Sequence, residues 1–235
     1  MIDLSHRINE PELMDSIDLE KEELITTLRF LALAHRYFGG ENVLFNHLKK
    51  WSARWKKNET ITFLDVGTGG AEVPLSLVRW GKKSGFHFQV TAIDSTPVIA
   101  QIARENTRNY PEIEVIEDDF FSFAKTGKQF DYVTASLLLH HIPDEKLVEI
   151  LKLCNSMAKK GIIFSDLIRS RSALWGIRMT TSLLGNRIAR HDGPLSVRRA
   201  FTLLELNLLA KKAGLEYLST HKHLFFRLSL AGEKQ

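Results

Sequence analysis

The run Ile61-Thr62-Phe63-Leu64-Asp65-Val66 reads as a buried strand that closes on an acid and is followed at once by Gly67-Thr68-Gly69-Gly70 and a helical pattern from Ala71 onward. Few local patterns restrict a chain more. A glycine turn between a buried strand and a helix start lets the backbone approach a ligand at the helix N-terminus. A phosphate-binding dinucleotide loop has the same outline, so the details decide. The pattern G-x-G-x-x-G requires glycine at position 72, and this chain has Glu72. A pyrophosphate would also meet the like charge of Asp65 at the mouth of the strand.

A ligand with a cationic ammonium end fits that carboxylate better. S-adenosylmethionine has an amino-acid end, a sulfonium and a ribose, and no phosphate. A second acid supports this choice. The strand over 87–93 ends in Asp94, 24 residues after Gly70, with Ser95 beside it. A carboxylate at the end of the second strand can accept both ribose hydroxyls of a nucleoside. An Asp before a proline-started helix is equally an ordinary cap. Joined to the glycine turn at this spacing, the ligand reading leads.

With these residues in place the chain resembles the class I S-adenosylmethionine-dependent methyltransferases. The resemblance rests on Asp65-Val66-Gly67-Thr68-Gly69-Gly70, on Asp94, on Glu117-Asp118-Asp119-Phe120, and on Phe130-Asp131-Tyr132-Val133 leading into Ser136-Leu137-Leu138-Leu139-His140-His141. It covers about residues 60 to 230. Within the class the chain is similar to bacterial small-molecule enzymes of the phenol, quinone and polyketide type, and the segment from His191 to Phe201 resembles one such subgroup. One departure is visible: the family's third glycine falls at Ala71, with Gly70 beside it as the expected compensation. The resemblance implies S-adenosyl-L-methionine as cofactor, held by Asp65, Gly67, Thr68, Gly69, Asp94, Ser95, Asp119, Phe120 and Ser136. Asp119 would accept from the adenine amino group and the Phe120 amide would meet a ring nitrogen; the alternative for Asp118 and Asp119 is a solvated turn.

The wider pattern agrees. Strands are expected near 61–66, 87–93, 113–117, 130–136 and 161–165, and helices near 71–83, 97–108 and 143–158, with Pro97 and Pro143 in first-turn positions. Such alternation gives a parallel sheet with helices on both faces. Thr202-Leu203-Leu204-Glu205 is a capping-box signature for a helix that stops at Gly214. Strands near 215–220 and 223–231 are too close for a crossover, so they pair antiparallel. The expected fold is an α/β, Rossmann-like, seven-stranded, mostly parallel sheet with a C-terminal antiparallel hairpin. Residues 1–59 form a helical cap within the same domain, with helices read across 8–57 and a break at Gly39-Gly40. Residues 60–235 form the methyltransferase domain, with a helical lid inserted near 167–200.

Methyl transfer needs an acceptor deprotonated close to the activated methyl. His140 and His141 follow strand four, and Asp166 at the end of strand five can orient one of them as a base. Successive residues leaving a strand face different ways, so one histidine at most should face the acceptor; the alternative is that the pair packs on the helix begun at Pro143. His191, beside Asp192 and a Gly-Pro turn, is a further candidate. His35 falls on an apolar helical stripe and reads as core, and Cys154 reads as a buried thiol. No His/Cys/Asp spacing matches a metal site, so no metal is expected.

Composition narrows the partners. The net charge of +4 does not by itself indicate nucleic acid. Residues 167–200 carry seven arginines against the single acid Asp192, whereas residues 10–23 are strongly acidic. The arginine segment is expected to close over a lipophilic, anionic acceptor and to offer a peripheral membrane contact. Its only aromatic is Trp175 and the D/N-P-P-Y loop is absent, both of which weigh against nucleic acid. No apolar run approaches the roughly eighteen residues of a membrane span, and the first residues lack an apolar signal core, so a cytoplasmic location is expected. The leading function is methylation of a phenolic or enolic oxygen; the alternatives are a cofactor-binding protein without turnover and an RNA methyltransferase.

Overall fold

The computed structural model describes residues 2–15 and 20–234; Asp18 of the acidic run lies outside them. In chain order the elements are α1 (Lys21–Tyr37), α2 (Gly40–Trp51), β1 (Thr60–Val66), α3 (Glu72–Ser84), β2 (His87–Asp94), α4 (Pro97–Thr107), β3 (Ile113–Glu117), α5 (Phe120–Ala124), β4 (Phe130–Ser136), α6 (Asp144–Met157), β5 (Ala158–Leu167), α7 (Arg171–Leu184), α8 (Arg187–Arg199), α9 (Leu203–Lys212), β6 (Ser219–Lys222) and β7 (Arg227–Glu233). The seven strands form one sheet in the order β3-β2-β1-β4-β5-β7-β6. β1 to β5 run parallel, and β7 pairs antiparallel with both β5 and β6. The chain leaves β1 toward β2 on one side and returns through β4 on the other. Ligands bind at such a switch point, outside the carboxyl ends of the strands.

Strand alternation divides the core between the two faces of the sheet. Leu64, Val66 and Val133 point to the face covered by Leu147, Leu151 and Leu206 of α6 and α9. Phe63, Ile61 and Tyr132 point to the other, against Leu44, Leu48 and Trp51 of α2 and Leu77 of α3. Tyr132 is fully buried and stacks on Trp51 with ring centroids 5.5 Å apart. Its hydroxyl accepts from Trp55 Nε1 at 2.8 Å and donates to Glu233 Oε1 at 2.7 Å. The ring is thus buried at no cost in unpaired polar atoms.

The punctuation residues act as expected at several helix ends. Thr202 and Glu205 form a reciprocal capping box on α9. Gly39 takes φ +80° between α1 and α2, where a Cβ would also stand 3.2 Å from the Phe225 ring. Three expectations are corrected. No helix runs from residue 8: among the described residues before α1 there is only a single 3-10 turn, Leu13–Asp15. The segment is instead tied to other elements through both its side chains and its backbone. Arg7 donates to the His140 and Ile142 carbonyls at 3.0 and 3.1 Å, and Arg169 donates to the Leu4 carbonyl at 3.0 Å. The strand near 215–220 begins only at Ser219, since Leu218 bonds back to the Leu215 carbonyl in a turn. The Gly193-Pro194 turn is absent; α8 runs through both residues, Pro194 costing it one backbone bond.

On the face away from the glycine turn, His47 of α2 is buried with Nε2 2.9 Å from Ser229 Oγ, and His223 Nε2 reaches the same hydroxyl at 2.8 Å. Burial, helped by the neighbouring His221, His223 and Lys50, lowers the His47 pKa to about 4. A depressed imidazole is neutral in the fold but protonates in the unfolded chain below about pH 6.5, so its share of stability is lost as pH falls from there toward 4. Buried carboxyls elsewhere shift the other way, so the ring's share must be read as a difference. The stability gap between wild type and His47→Gln, from urea unfolding, should move in the variant's favour by about 2 kcal/mol between pH 7 and pH 5. A gap independent of pH would show that His47 titrates normally.

Candidate active site

The glycine turn is held by carboxylates from two strands. Gly67 and Gly69 take φ +65° and +56°. The Thr68 amide donates to the Ile93 carbonyl at 3.0 Å, and its hydroxyl donates to Asp65 Oδ2 at 2.8 Å. Thr134, on β4, donates to Asp65 Oδ1, also at 2.8 Å. Asp94 accepts from the Gly69 amide at 3.0 Å and from the Thr96 amide at 3.1 Å. Asp65 is 2% exposed, so it braces the turn from behind. The third glycine of the family pattern is replaced more directly than by Gly70, since Ala71 itself adopts φ +67°.

Glu72, in the first turn of α3, was missing from the sequence-derived site. Its side chain curls against Gly70, where a Cβ would stand 2.3 Å from its Oε1. Burial raises the Asp65 and Glu72 carboxyls to about 7 each, and their mutual repulsion adds to the rise for Glu72. Two acids crowded at a helix N-terminus, with no basic partner among the described residues, suit a cationic ligand end. Ser136 Oγ is buried without a hydrogen-bond partner among the described residues. The residues therefore fit S-adenosylmethionine: Glu72 and Asp65 toward the ammonium end, Asp94 toward the ribose, and Ser136 with an unused donor.

Every residue assigned above to the cofactor lines one cavity of about 1080 Å³. Asp119 is the N-cap of α5 and also lines the cavity. One carboxylate oxygen caps α5 by accepting from the Phe121 and Ser122 amides at 3.0 and 3.2 Å, leaving the other oxygen and the Phe120 amide outside the cap.

His140 and His141 line the same cavity, and Asp166 lies behind them. They do not face different ways: the 3-10 turn Leu139–His141 brings their rings together, centroids 4.2 Å apart. Asp166 grips His140 twice, with Oδ1 2.7 Å from Nδ1 and Oδ2 accepting the backbone amide at 3.0 Å. Burial raises the Asp166 carboxyl, but His140 and the backbone amides outweigh it and hold the pKa below the ordinary carboxylate value. An ionised Asp166 can only accept, so Nδ1 carries the proton and Nε2 is left as the basic atom.

The group facing Nε2 comes from the N-terminal segment. Glu12 is buried, with Oε1 3.6 Å from His140 Nε2 and Oε2 3.8 Å from His141 Nε2. Asp15 Oδ2 lies 3.4 Å from His141 Nδ1. Burial raises the Glu12 carboxyl to about 7, against the pull of His141, Ser196 and Arg199. Asp192 fixes this segment by accepting the Leu13 and Met14 amides at 2.8 and 2.9 Å. His191 is not part of the site; its ring is exposed and pairs with Asp192 at 2.7 Å. The ligand-capable atoms of Glu12, His140 and His141 lie within 4.8 Å of one another, a grouping the sequence spacing did not reveal. Arg199 stands 3.5 Å from Glu12 Oε1 and already supplies positive charge there.

The arginine segment forms α7 and α8, whose inner faces line the cavity through Gly176, Ile177, Thr181 and Ser196. Its charge is largely consumed. Arg169 and Arg199 are buried and paired, Arg187 bonds Glu23 at 2.9 Å, and Arg198 lies 3.7 Å from Glu10. The outer face of α7 exposes Trp175, Met179 and Leu183, at helical spacing, beside Arg171 and Arg178. Among the described residues no helix is long and apolar enough to cross a membrane.

The sheet order, the glycine turn and its two carboxylates are those of the class I S-adenosylmethionine-dependent methyltransferase fold. Residues 63–161 match the methyltransferase domain family. The chain is 27% identical over 146 residues to a demethylmenaquinone methyltransferase of Staphylococcus haemolyticus, covering 60% of this chain and 59% of that one. It is likewise 27% identical over 121 residues to a ubiquinone biosynthesis O-methyltransferase of Histophilus somni, covering 48% of each. The chain thus spans only about half the length of these relatives. Among solved structures, the plantazolicin methyltransferase BpumL in complex with SAH has the same fold (TM-score 0.64, 13% identity, 92% of this chain and 95% of that one). So does the magnesium protoporphyrin IX methyltransferase of Synechocystis with bound SAH (TM-score 0.58, 14% identity, 84% of each).

S-adenosylmethionine and S-adenosylhomocysteine should bind in the micromolar range, about 8 kcal/mol. Asp94→Ala should weaken both roughly 10- to 100-fold by removing a charged acceptor. Binding should also release a proton near pH 7, as the ammonium ionises Glu72 and Asp65; calorimetry in buffers of different ionisation enthalpy reads this. Failure to bind either ligand, or a preference for NAD, would contradict the assignment.

Proposed function

We propose that the protein transfers a methyl group from S-adenosylmethionine to a phenolic or enolic oxygen of a lipophilic small molecule. The observation that carries this reading is the Asp166–His140–Glu12 chain in the wall of a largely apolar cavity that also holds the glycine turn. S-adenosylmethionine, held at the glycine turn, would supply an electrophilic methyl carbon and a neutral thioether as leaving group. The chain's part is to bind, orient and deprotonate. His140 Nε2 takes the hydroxyl proton as the oxygen–carbon bond forms, Asp166 stabilises the resulting imidazolium, and Glu12, poised near 7, passes the proton outward. The names of the sequence relatives, with quinone-type acceptors in both, agree with an aromatic or enolic ring.

The alternatives have less behind them. An RNA acceptor would need an open basic surface, and the pairing of Arg169, Arg187, Arg198 and Arg199 removes most of it. A binding protein without turnover would have no use for a histidine held in one tautomer beside a near-neutral carboxyl.

His140→Ala should lower kcat by about 10²–10⁴-fold with cofactor affinity unchanged. Glu12→Gln should cost roughly tenfold and move the acid limb of the pH–rate profile to lower pH, because removing a negative charge makes the nearby imidazole easier to deprotonate. A rate within threefold of wild type for His140→Ala, measured across the whole pH profile, would end the role of His140 as base.

The exposed face of α7 supports a second element of this reading: peripheral contact with an anionic bilayer, through Trp175, Met179 and Leu183 with Arg171 and Arg178 at its edge. Sedimentation with vesicles should show binding that depends on anionic lipid and drops by about tenfold in Arg171→Gln/Arg178→Gln, near 1 kcal/mol per charge or somewhat less. Equal binding to neutral vesicles, or none, would reduce α7 to a cavity wall.

A further inference from the structure

Arg227 opens β7, opposite Leu167 of β5, and is 3% exposed. Among the described residues its guanidinium makes no ion pair, and Nη1 is buried without a hydrogen-bond partner. Asp166 is the acid that influences it, but the oxygens of Asp166 are committed to His140 and to the Leu167 amide. A guanidinium offers five donors and stays charged, so burying one unpaired is costly and calls for an anion. His35 of α1 repeats the pattern. It is 5% exposed, its Nε2 is buried and unpartnered, and both residues line the same cavity. Burial first, and then the charge of Arg227, lowers the His35 pKa to about 4, so the ring is neutral and lies within the electrostatic reach of Arg227. With its proton on Nε2 it is a second donor.

The backbone before Arg227 is strained. Phe225 and Phe226 both hold positive φ, +55° and +59°, where bulky residues are rarely found. Phe225 sets its edge against Phe38, centroids 5.9 Å apart, and Phe226 lies over Gly176, where a Cβ would stand 2.5 Å from its ring. The strained turn therefore carries two aromatic rings into the wall of the cavity beside the unpaired guanidinium. Phe38, Leu167, Phe225 and Phe226 line the cavity with the pair, whereas the carboxylates Asp94 and Asp119 are those assigned to the cofactor.

We propose that Arg227 and His35 bind an anionic oxygen of the acceptor, so that the preferred substrate is a lipophilic hydroxylated ring bearing a carboxylate. The inference rests on reading this cavity as the acceptor site, and the test is made on binding so that it stands or falls apart from turnover. The cofactor's own carboxylate has the same chemistry, and the two sources are separated by measuring both ligands.

The probes are 5-pentylresorcinol and its 2-carboxylate, titrated calorimetrically into protein saturated with S-adenosylhomocysteine. The carboxylate should bind wild type at least tenfold more tightly. Arg227→Met should bring the two probes within about twofold, and His35→Phe should narrow the gap in the same direction. Affinity for S-adenosylhomocysteine should stay within threefold throughout. Thermal unfolding of ligand-free Arg227→Met should occur at or above the wild-type temperature, since an apolar chain replaces an unpaired buried charge. Should that variant fail to fold, Arg227→Lys, keeping charge without the bidentate fork, should retain only part of the preference. Equal affinity for the two probes in wild type, including no binding of either, overturns the proposal. So does a preference that survives Arg227→Met, or a loss of S-adenosylhomocysteine binding in its place. A protein that prefers the carboxylate yet transfers no methyl would keep this inference and defeat the proposed reaction.

Discussion

The structure depends first on two carboxylates spent on a turn. Asp65 takes hydroxyls from Thr68, in the turn itself, and from Thr134, on the neighbouring strand β4. Asp94, on β2, takes the Gly69 amide. Three adjacent strands are thereby tied to four residues of loop, and the loop's left-handed conformations are held in place before any ligand arrives. Such bracing removes ordering cost from binding. It also leaves negative charge crowded at a helix N-terminus, with Asp65 and Glu72 both raised to about 7. A bound ammonium would relieve that crowding, so the groups that shape the turn are also suited to selecting its ligand.

The half of the cavity proposed for the acceptor is assembled differently. Its groups come from distant parts of the chain and meet through backbone contacts that leave their side chains free. Arg7 holds the His140 and Ile142 carbonyls, Asp192 holds the Leu13 and Met14 amides, and the N-terminal segment is thereby laid where Glu12 reaches both imidazoles. Asp166 fixes the His140 tautomer from below. The result is a run of alternating carboxyl and imidazole groups, with Arg199 at its outer end, in which a proton can be accepted without creating an isolated buried charge.

What the sequence disclosed follows from how local each feature is. The glycine turn, the strand-ending acids, the capping box at Thr202 and the strands β1 to β5 rest on neighbours a few residues apart, and they are found where periodicity and turn chemistry place them. The Asp166–His140 contact was also legible, because adjacent parallel strands bring their carboxyl ends together. Glu12 was not, since no periodic signal links residue 12 to residue 140. Arg227 was equally hidden: in a strand pattern an arginine reads as a solvated edge, and only the packing of α1 and α7 reveals that it is buried without a partner. In the arginine-rich stretch the charge was legible but its pairing was not: Arg169, Arg187, Arg198 and Arg199 meet acids of α9, α1 and the N-terminal segment, while Arg171 and Arg178 stay exposed on α7.

The central claim is that this constellation methylates oxygen on a small ring. It is tested most directly by incubating the protein with S-adenosylmethionine labelled with carbon-13 in the methyl group and with a panel of hydroxylated naphthalenes and alkylresorcinols, then locating the label in the product by NMR. The labelled carbon should appear as an aryl or enol methyl ether, correlated through oxygen to a ring carbon. Label bonded directly to ring carbon or to nitrogen, or label remaining wholly in S-adenosylmethionine while the cofactor is shown to bind, would contradict the claim.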